Sequence, residues 1–100
     1  MQYKIEWLIP AIDDLNRLRN NLENRGAYET GYKVANELYS SVDRLSDMPR
    51  MFPKFQDTPL RRMVVKDYSV FYRIDEEKKL VKIEYIRHHL EDISDISEIS

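Results

Sequence analysis

The chain has 100 residues, 42% hydrophobic and 34% charged, which suits a single folded domain at positions 1–100 and excludes a disordered protein. It contains no cysteine and only two histidines, which are adjacent, so we expect no disulfide, no structural metal site and no cofactor. The formal net charge is −2, but residues 50–90 hold ten basic and six acidic side chains and residues 91–100 hold four acidic and no basic ones, so nucleic-acid binding is only a modest hypothesis.

The chain begins with a stretch, Gln2 to Leu8, in which polar and apolar residues alternate. Tyr3, Ile5 and Trp7 fall on one face, which predicts a β-strand that ends before Pro10. Because charged residues interrupt the apolar ones, we expect neither a signal peptide nor a membrane span, and a cytoplasmic location.

Two amphipathic helices are predicted next. The first begins at Pro10-Ala11, has Asp13 and Asp14 in its first turn, ends at Arg25-Gly26, and carries the apolar residues Ile12, Leu15, Leu18 and Leu22. The second closes near Met48-Pro49, and its stripe comprises Tyr28, Tyr32, Ala35, Leu38, Tyr39, Val42 and Leu45. The short connection predicts an antiparallel hairpin, which needs a sheet to cover because each stripe is one-sided.

Three consecutive antiparallel strands are predicted within residues 60–89, which are rich in β-branched and aromatic residues. Before them, three prolines in residues 49–59 predict an irregular segment or a short edge strand around Phe52 and Phe55. The predicted fold is therefore α+β: an N-terminal strand, a two-helix antiparallel hairpin and a three-stranded antiparallel meander, in one twisted sheet with the helices on one face.

Alternation along the later strands assigns their side chains to two faces. The predicted core face carries Met63, Val65, Tyr68, Val70, Tyr72, Ile74, Val81, Ile83 and Tyr85. The predicted opposite face carries Arg62, Val64, Lys66, Ser69, Phe71, Arg73, Lys82, Glu84, Ile86 and His88. In that register the basic residues Arg62, Lys66, Arg73, Lys82 and His88 form one open surface.

The tail at residues 91–100 is acidic, with isoleucines three residues apart at 93, 96 and 99. This spacing predicts either a short helix or a frayed segment, which packs against the protein, packs against a partner, or stays loose. We hypothesise that its negative charges compete with phosphate at the basic strands.

Several motifs resemble those of the RelE/ParE superfamily of bacterial toxins. Tyr3-Lys4-Ile5-Glu6-Trp7, followed by Pro10-Ala11 and Asp14-Leu15, resembles the family's opening strand and its Ala-x-x-Asp-Leu helix start. Leu60-Arg61-Arg62 and Tyr68-Ser69-Val70-Phe71-Tyr72-Arg73-Ile74 resemble its Arg-containing strand and its Tyr-x-[Ile/Val]-[Phe/Val]-Tyr-x-[Val/Ile] strand. Val81-Lys82-Ile83, continuing through Arg87-His88-His89 to Asp92-Ile93, resembles its last strand, whose ParE form closes in a His followed by Asp-Ile.

The resemblance implies a growth-inhibiting, cytoplasmic toxin of a type II toxin–antitoxin module, neutralised by a cognate antitoxin whose extended or helical segment wraps it. Members divide into ribosome-associated mRNA endonucleases, RelE- and YoeB-like, and ParE-like inhibitors of DNA gyrase. Fold alone does not choose between these targets. A third alternative is a toxin-fold protein that only binds its antitoxin, and the oligomeric state is open.

The nuclease alternative requires a base, an acid and cations at the scissile phosphate, without a metal. His89 matches the position of the catalytic histidine of YoeB-like members, and Arg87 matches an arginine before it. The resemblance thus implies a catalytic set of His89, Arg87, Arg62 and Arg61, with His88 as the alternative histidine. Taken alone, these residues also fit strand-end surface or ion-paired positions.

Other residues favour the ParE-like branch. Ser69 stands where RelE- and YoeB-like members carry an arginine for the phosphate, and Leu90 replaces the tyrosine after the YoeB-like histidine. Shifted by one position, His88 matches the ParE-like histidine and Asp92-Ile93 then aligns without a gap. We therefore favour a DNA gyrase inhibitor, which needs no catalytic residues.

Overall fold

The computed structural model describes residues 2–24, 26 and 28–98 and contains the predicted elements in the predicted order. They are β1 (Lys4–Trp7), α1 (Ile9–Asn24), α2 (Tyr28–Asp43), β2 (Arg61–Val65), β3 (Tyr68–Asp75), β4 (Leu80–His88) and α3 (Ser94–Ser97), with a short 3₁₀ helix at Arg44–Ser46. Arg25 and Ile99, predicted at the end of the first helix and in the tail, lie outside the described residues, as does the side chain of Tyr28. Among the described helices, none is both long and apolar enough to cross a membrane.

The helical hairpin turns at Gly26, whose φ of +76° is left-handed and costs glycine no steric strain. This confirms the predicted end of α1. The helix begins at Ile9, however, two residues earlier than predicted, so Asp13 and Asp14 lie in its second turn. Asp14 lies on the buried side of the helix, next to Leu15.

The four strands form one mixed sheet in the order β1-β4-β3-β2. The meander is antiparallel as predicted, and β1 lies parallel to β4. Because β1 pairs only with Leu80–Ile83, no described strand continues along that side of β4 beyond Ile83. At the other edge, β2 has an isolated bridge between Arg61 and Lys54, where a short edge strand was predicted.

A bulge interrupts the β3–β4 ladder at Glu84. Tyr72 pairs with Ile83 and Phe71 pairs with Tyr85, so Glu84 is an extra residue in β4. The inserted residue reverses the alternation of side chains along the rest of the strand.

Three predicted face assignments are therefore wrong. Ile86 faces the helices and is buried in the main core, whereas Tyr85 packs on the other side of the sheet. His88 also points to the helix side, opposite Tyr68. A strict period of two cannot foresee the inserted residue, since Glu84 carries no turn or glycine signal.

The main core lies between the helices and the sheet. Its buried members are Ala11, Leu15, Ala35, Leu38, Val42, Leu45, Met63, Val70, Tyr72, Val81, Ile83 and Ile86. Apart from Tyr85, the predicted core face is confirmed, since Val65, Tyr68 and Ile74 pack against this cluster. The N-terminal strand contributes Tyr3, Ile5 and Trp7 to the same core.

The opposite face of the sheet is not open, contrary to the prediction. Phe55, Leu60, Phe71 and Ile96 form a second buried cluster there, against which Tyr85 and Ile93 pack. We call this side, which bears Arg62, Ser69, Phe71, Tyr85 and Arg87, the tail-covered face. The acidic tail thus packs against the protein itself, as a short helix.

Candidate functional site

Arg61 and Arg62, placed together in the implied catalytic set, point to opposite faces of β2. Arg61 pairs with Tyr72, whose ring lies in the main core, and its Nη1 donates a hydrogen bond to the carbonyl of Phe52 at 2.6 Å. This bond fastens the irregular segment before β2 to the sheet. The structure therefore separates the Arg61 side chain from that of Arg62.

Arg62 lies on the tail-covered face. Its Nε donates to Ser69 Oγ at 2.8 Å, and its guanidinium carbon lies 5.8 and 5.7 Å from the ring centres of Phe55 and Phe71. Contacts of a guanidinium with aromatic rings at this distance are attractive. Arg62 is thus positioned by the second cluster and by a serine side chain.

Arg87 lies on the same face, because it pairs with Ser69 across the β3–β4 ladder. Arg62 and Arg87 therefore flank Ser69. The Arg87 side chain is only 15% exposed, and its Nη1 and Nη2 donate to the two oxygens of Asp95 at 3.1 and 3.3 Å. The hydrogen bond from Arg87 lowers the pKa of Asp95, so this carboxylate is ionised at neutral pH and offsets the guanidinium charge.

Asp14 supplies a second carboxylate to Arg87 from α1, with Oδ2 3.8 Å from the arginine Nε. The same oxygen accepts the backbone N–H of Ile86 at 2.9 Å, where no β1 residue continues along β4. Burial raises the pKa of Asp14, while the Ile86 N–H, Arg87 and Arg17 act against this rise. Asp14 therefore closes a strand edge and anchors Arg87.

The tail holds Asp95 in place through its apolar residues. Ile96 is fully buried and lies in one cluster with Phe71, and Ile93 packs beside it. Glu91, at the start of the tail, accepts the backbone N–H of His88 at 2.9 Å and lies 3.3 Å from Arg17. Both apolar and charged contacts thus fix the tail on the sheet.

The two histidine rings are neighbours, with centres 4.3 Å apart, but they have different partners. His88 lies on the helix side, with its ring centre 5.1 Å from that of Tyr68, and its Nδ1 accepts the Leu90 N–H at 3.2 Å. It lines a cavity of about 620 Å³ between the two long helices and the end of the sheet. His89 follows the strand and is exposed, with its Nδ1 3.4 Å from the carbonyl oxygen of Asp67.

The remaining basic residues of the predicted open surface are dispersed and ion-paired. Lys66 lies in the β2–β3 turn with a φ of +54° and contacts Glu37 of α2 at 2.8 Å, so it faces the helices instead of the predicted surface. The other two basic residues, Arg73 and Lys82, are also ion-paired. Arg73 lies 2.7 Å from Glu84, and Lys82 lies 3.8 Å from Asp75. The basic residues that the structure describes therefore do not form a continuous cationic surface.

The structure brings together Arg62, Ser69 and Arg87, but places the implied catalytic histidines elsewhere. His88 is on the opposite face, and His89 lies beyond the end of the strand. Both guanidinium groups lie on one face, and Asp95 serves as the anion at Arg87. Sequence reasoning overlooked Asp95 and Asp14 as partners of Arg87.

A sequence signal for Asp14 was available. Positions 11, 14, 15 and 18 share one helical face, and the other three are Ala11, Leu15 and Leu18. A carboxylate within an apolar stripe indicates a buried acceptor. Asp95 has no comparable signal, because it becomes a partner only when the tail folds back.

The fold is shared with solved toxin structures, in which a strand, a helical hairpin and a meander recur. The chromosomal ParDE system from P. aeruginosa matches with a TM-score of 0.75 and 15% identity over 87% of this chain and 96% of that chain. A mutant of the E. coli toxin RelE in the free state matches with a TM-score of 0.71 and 17% identity over 97% and 92%.

The RelBE2 toxin–antitoxin complex from Mycobacterium tuberculosis matches with a TM-score of 0.69 and 20% identity over 88% of this chain and 92% of that chain. These identities support the fold alone. No curated protein matches the chain in sequence.

The family model for the ParE toxin of the type II toxin–antitoxin system parDE matches residues 5–93. The chain belongs to this family, and it is a type II toxin within the RelE/ParE superfamily.

Proposed function

We propose that this toxin inhibits growth by binding DNA gyrase, as ParE-like members do, and does not cut RNA. The observation that carries this proposal is the pairing of Arg87 with Asp95 and Asp14. An RNA-cleaving site needs its arginine directed at a phosphate, with a proton-transfer group close by. Here the arginine is neutralised by carboxylates of its own chain.

Two further features support the proposal. Ser69, between Arg62 and Arg87, has a hydroxyl that accepts the Arg62 hydrogen bond and adds no positive charge. His88 points to the helix side and His89 contacts Asp67 beyond the end of β4, whereas Arg87 points to the tail-covered face and is held by Asp95. Inhibition by binding requires surface complementarity and no convergence of a base and a cation.

The second candidate function is a ribosome-dependent, metal-independent mRNA endonuclease. Two observations favour it. Arg62 and Arg87 lie on one face, and the exposed His89 directly follows β4, the strand that carries Arg87. This function requires the tail to leave Arg87, so that RNA replaces Asp95. His89, Arg87 and Arg62 would then carry the reaction, and Arg61 would support the segment around Phe52.

We also propose a cognate antitoxin as the neutralising partner. Structures similar to this chain include toxin–antitoxin complexes. The chain offers β2 as an edge strand, and Val64 on it is 60% exposed. Beside it, Met48 and Met51 are exposed at the rim of an apolar cavity of about 330 Å³. An extended antitoxin segment pairing with β2 would cover these apolar side chains.

The target is tested by inducing the toxin and recording which process fails first. We expect filamentation and a DNA-damage response, with intact mRNA ends in primer extension. His89→Ala and Arg62→Ala should each retain growth inhibition, with Arg50→Ala as a charge-matched control and circular dichroism as a check of folding. Rapid translation arrest with cleaved mRNA, lost in His89→Ala, would instead establish the nuclease function. Growth without any inhibition would identify a toxin fold that only binds its antitoxin.

A further inference from the structure

Asp67, His88 and His89 form a cluster of metal-ligating side chains at one end of the sheet. One ligand atom from each side chain lies within 4.8 Å of the other two. Two adjacent histidines offer too few ligands in the sequence alone. The fold adds Asp67, which lies in the β2–β3 turn and reaches the end of β4.

We propose that this cluster binds a divalent transition-metal ion, for which Zn²⁺ is the representative. Two imidazoles and a carboxylate are the ligands that Zn²⁺ and Cu²⁺ accept, whereas Mg²⁺ prefers oxygen ligands alone. Three protein ligands leave a fourth position for water. The site does not depend on the gyrase target, and it shares only His89 with the residues of the second candidate function.

The backbone that carries the three ligands is fixed. The His89 N–H donates to the Asp67 carbonyl at 2.8 Å, and His88 pairs with Tyr68 in the β3–β4 ladder. The side chains have more freedom, because those of His89 and Asp67 are 53% and 72% exposed. The ligand atoms of a tetrahedral Zn²⁺ lie about 3.4 Å apart. Side-chain rotations that move each ligand atom by about 1 Å would therefore complete the site.

Carboxylates lie close to the cluster, and the cations that line the same cavity, Arg17 and Lys66, are each paired with a carboxylate. His89 Nδ1 lies 4.0 Å from the Asp67 carboxylate, and Glu91 adds a second carboxylate beside the backbone of His88. Asp67 and His88 also line the cavity between the helices and the sheet, which leaves room for water on the bound ion. Metal binding would tie the β2–β3 turn to the end of β4.

The amide of Leu90 provides a specific reporter. Its N–H donates to Nδ1 of His88 at 3.2 Å, which requires that nitrogen to be unprotonated. A metal bound at Nδ1 displaces the Leu90 N–H. A metal bound at the other ring nitrogen moves the proton to Nδ1, and this also breaks the hydrogen bond. Either mode of coordination therefore changes the environment of the Leu90 amide.

The test titrates Zn²⁺ into the full chain without a histidine tag, by calorimetry and by ¹H–¹⁵N spectra. We expect one ion per chain with micromolar affinity, no comparable Mg²⁺ binding, and a shift of the Leu90 cross-peak. His88→Ala, His89→Ala and Asp67→Asn should each weaken binding about tenfold or more. Asp57→Asn, an exposed carboxylate outside the cluster, is the matched control and should bind like the parent protein.

Absence of saturable Zn²⁺ binding overturns the proposal. Equal affinities of Asp67→Asn and Asp57→Asn also overturn it, because they would leave only a bis-histidine contact. A Leu90 cross-peak that stays in place at saturating Zn²⁺ excludes coordination by His88. The gyrase proposal is unaffected by these outcomes, since growth inhibition is measured separately.

Discussion

The guanidinium of Arg87 and the carboxylate of Asp95 meet through two parallel contacts, at 3.1 and 3.3 Å. This geometry is the bidentate form of an arginine–carboxylate pair. It joins the last strand to the acidic tail and offsets the charge of the Arg87 guanidinium. The pair depends on the apolar anchoring of the tail, so the first prediction concerns Ile96.

Ile96→Ala should lower the free energy of unfolding by about 2 kcal/mol or more, because it removes a fully buried side chain from the second cluster. Urea denaturation measures this change. Glu98→Ala, an exposed residue of the same tail, is the control and should change stability little. A loss below about 0.5 kcal/mol for Ile96→Ala would mean that the tail is not packed on the sheet.

Asp14 and Asp95 should affect acid stability in opposite directions. The folded-state pKa of Asp14 is raised by burial above its ordinary 3.8, so its contribution is present below that value and is lost as pH rises through the raised pKa. The folded-state pKa of Asp95 is lowered by Arg87, so its contribution is present above 3.8 and is lost as pH falls through the lowered pKa.

Unfolding free energies measured across the acid range test this pair. The Asp14 carboxyl makes the unfolding free energy fall as pH rises, so Asp14→Asn should lack that fall. The Asp95 carboxyl makes the unfolding free energy rise as pH rises, so Asp95→Asn should lack that rise. Each variant serves as the control for the other, since both delete one carboxylate near Arg87. Profiles that change in the same direction would contradict the assigned environments.

Tyr72 should make stability fall at alkaline pH. Its hydroxyl donates to the Pro49 carbonyl at 2.6 Å, and burial raises its pKa to about 12. Its contribution is complete below the ordinary value of 10.0 and is lost as pH rises through about 12. Tyr72→Phe should lack this alkaline decrease and should cost about 1–2 kcal/mol at neutral pH, because the Pro49 carbonyl loses its donor.

Chemical denaturation at several alkaline pH values provides the measurement for Tyr72. Tyr32→Phe, at an exposed site on α2, is the control and should follow the parent protein. If the unfolding free energy of Tyr72→Phe falls at alkaline pH as much as that of the parent protein, groups other than Tyr72 cause the fall.

Val64→Lys should weaken the binding of the antitoxin and leave the toxin folded. Val64 lies on edge strand β2 and is 60% exposed, so a lysine there meets water in the free toxin and an apolar partner in the complex. Affinity for the cognate antitoxin should fall about tenfold or more, with little change in melting temperature. Ile9→Lys, an exposed apolar site at the start of α1, should leave affinity unchanged. An equal loss of antitoxin affinity in both variants would show that β2 is not part of the interface.

The fold was predictable from the sequence because helix and strand periods are strong local signals. The helical hairpin turns at Gly26, where the first helix was predicted to end, and alternation placed Val70 and Tyr72 in the core. The order of motifs also predicted the superfamily. These features depend on residues close together in the chain.

The site was less predictable because it depends on one inserted residue, Glu84, and on contacts from two other segments, the first helix and the tail. Glu84 reverses the faces of Tyr85 and His88, and no sequence signal marks it as a bulge. Asp14 reaches Arg87 from the first helix, and Asp95, eight residues after Arg87, reaches it only because the tail folds back onto the sheet. The tail could be predicted as helical or frayed, but not as the cover of Phe71.

The most direct test of the central claim is a supercoiling assay with purified toxin and purified DNA gyrase. The predicted result is inhibition of supercoiling with accumulation of cleaved DNA, reversed by the cognate antitoxin and retained by Arg62→Ala and His89→Ala. Full gyrase activity in the presence of toxin, together with mRNA cleavage on translating ribosomes that His89→Ala abolishes, would contradict the claim.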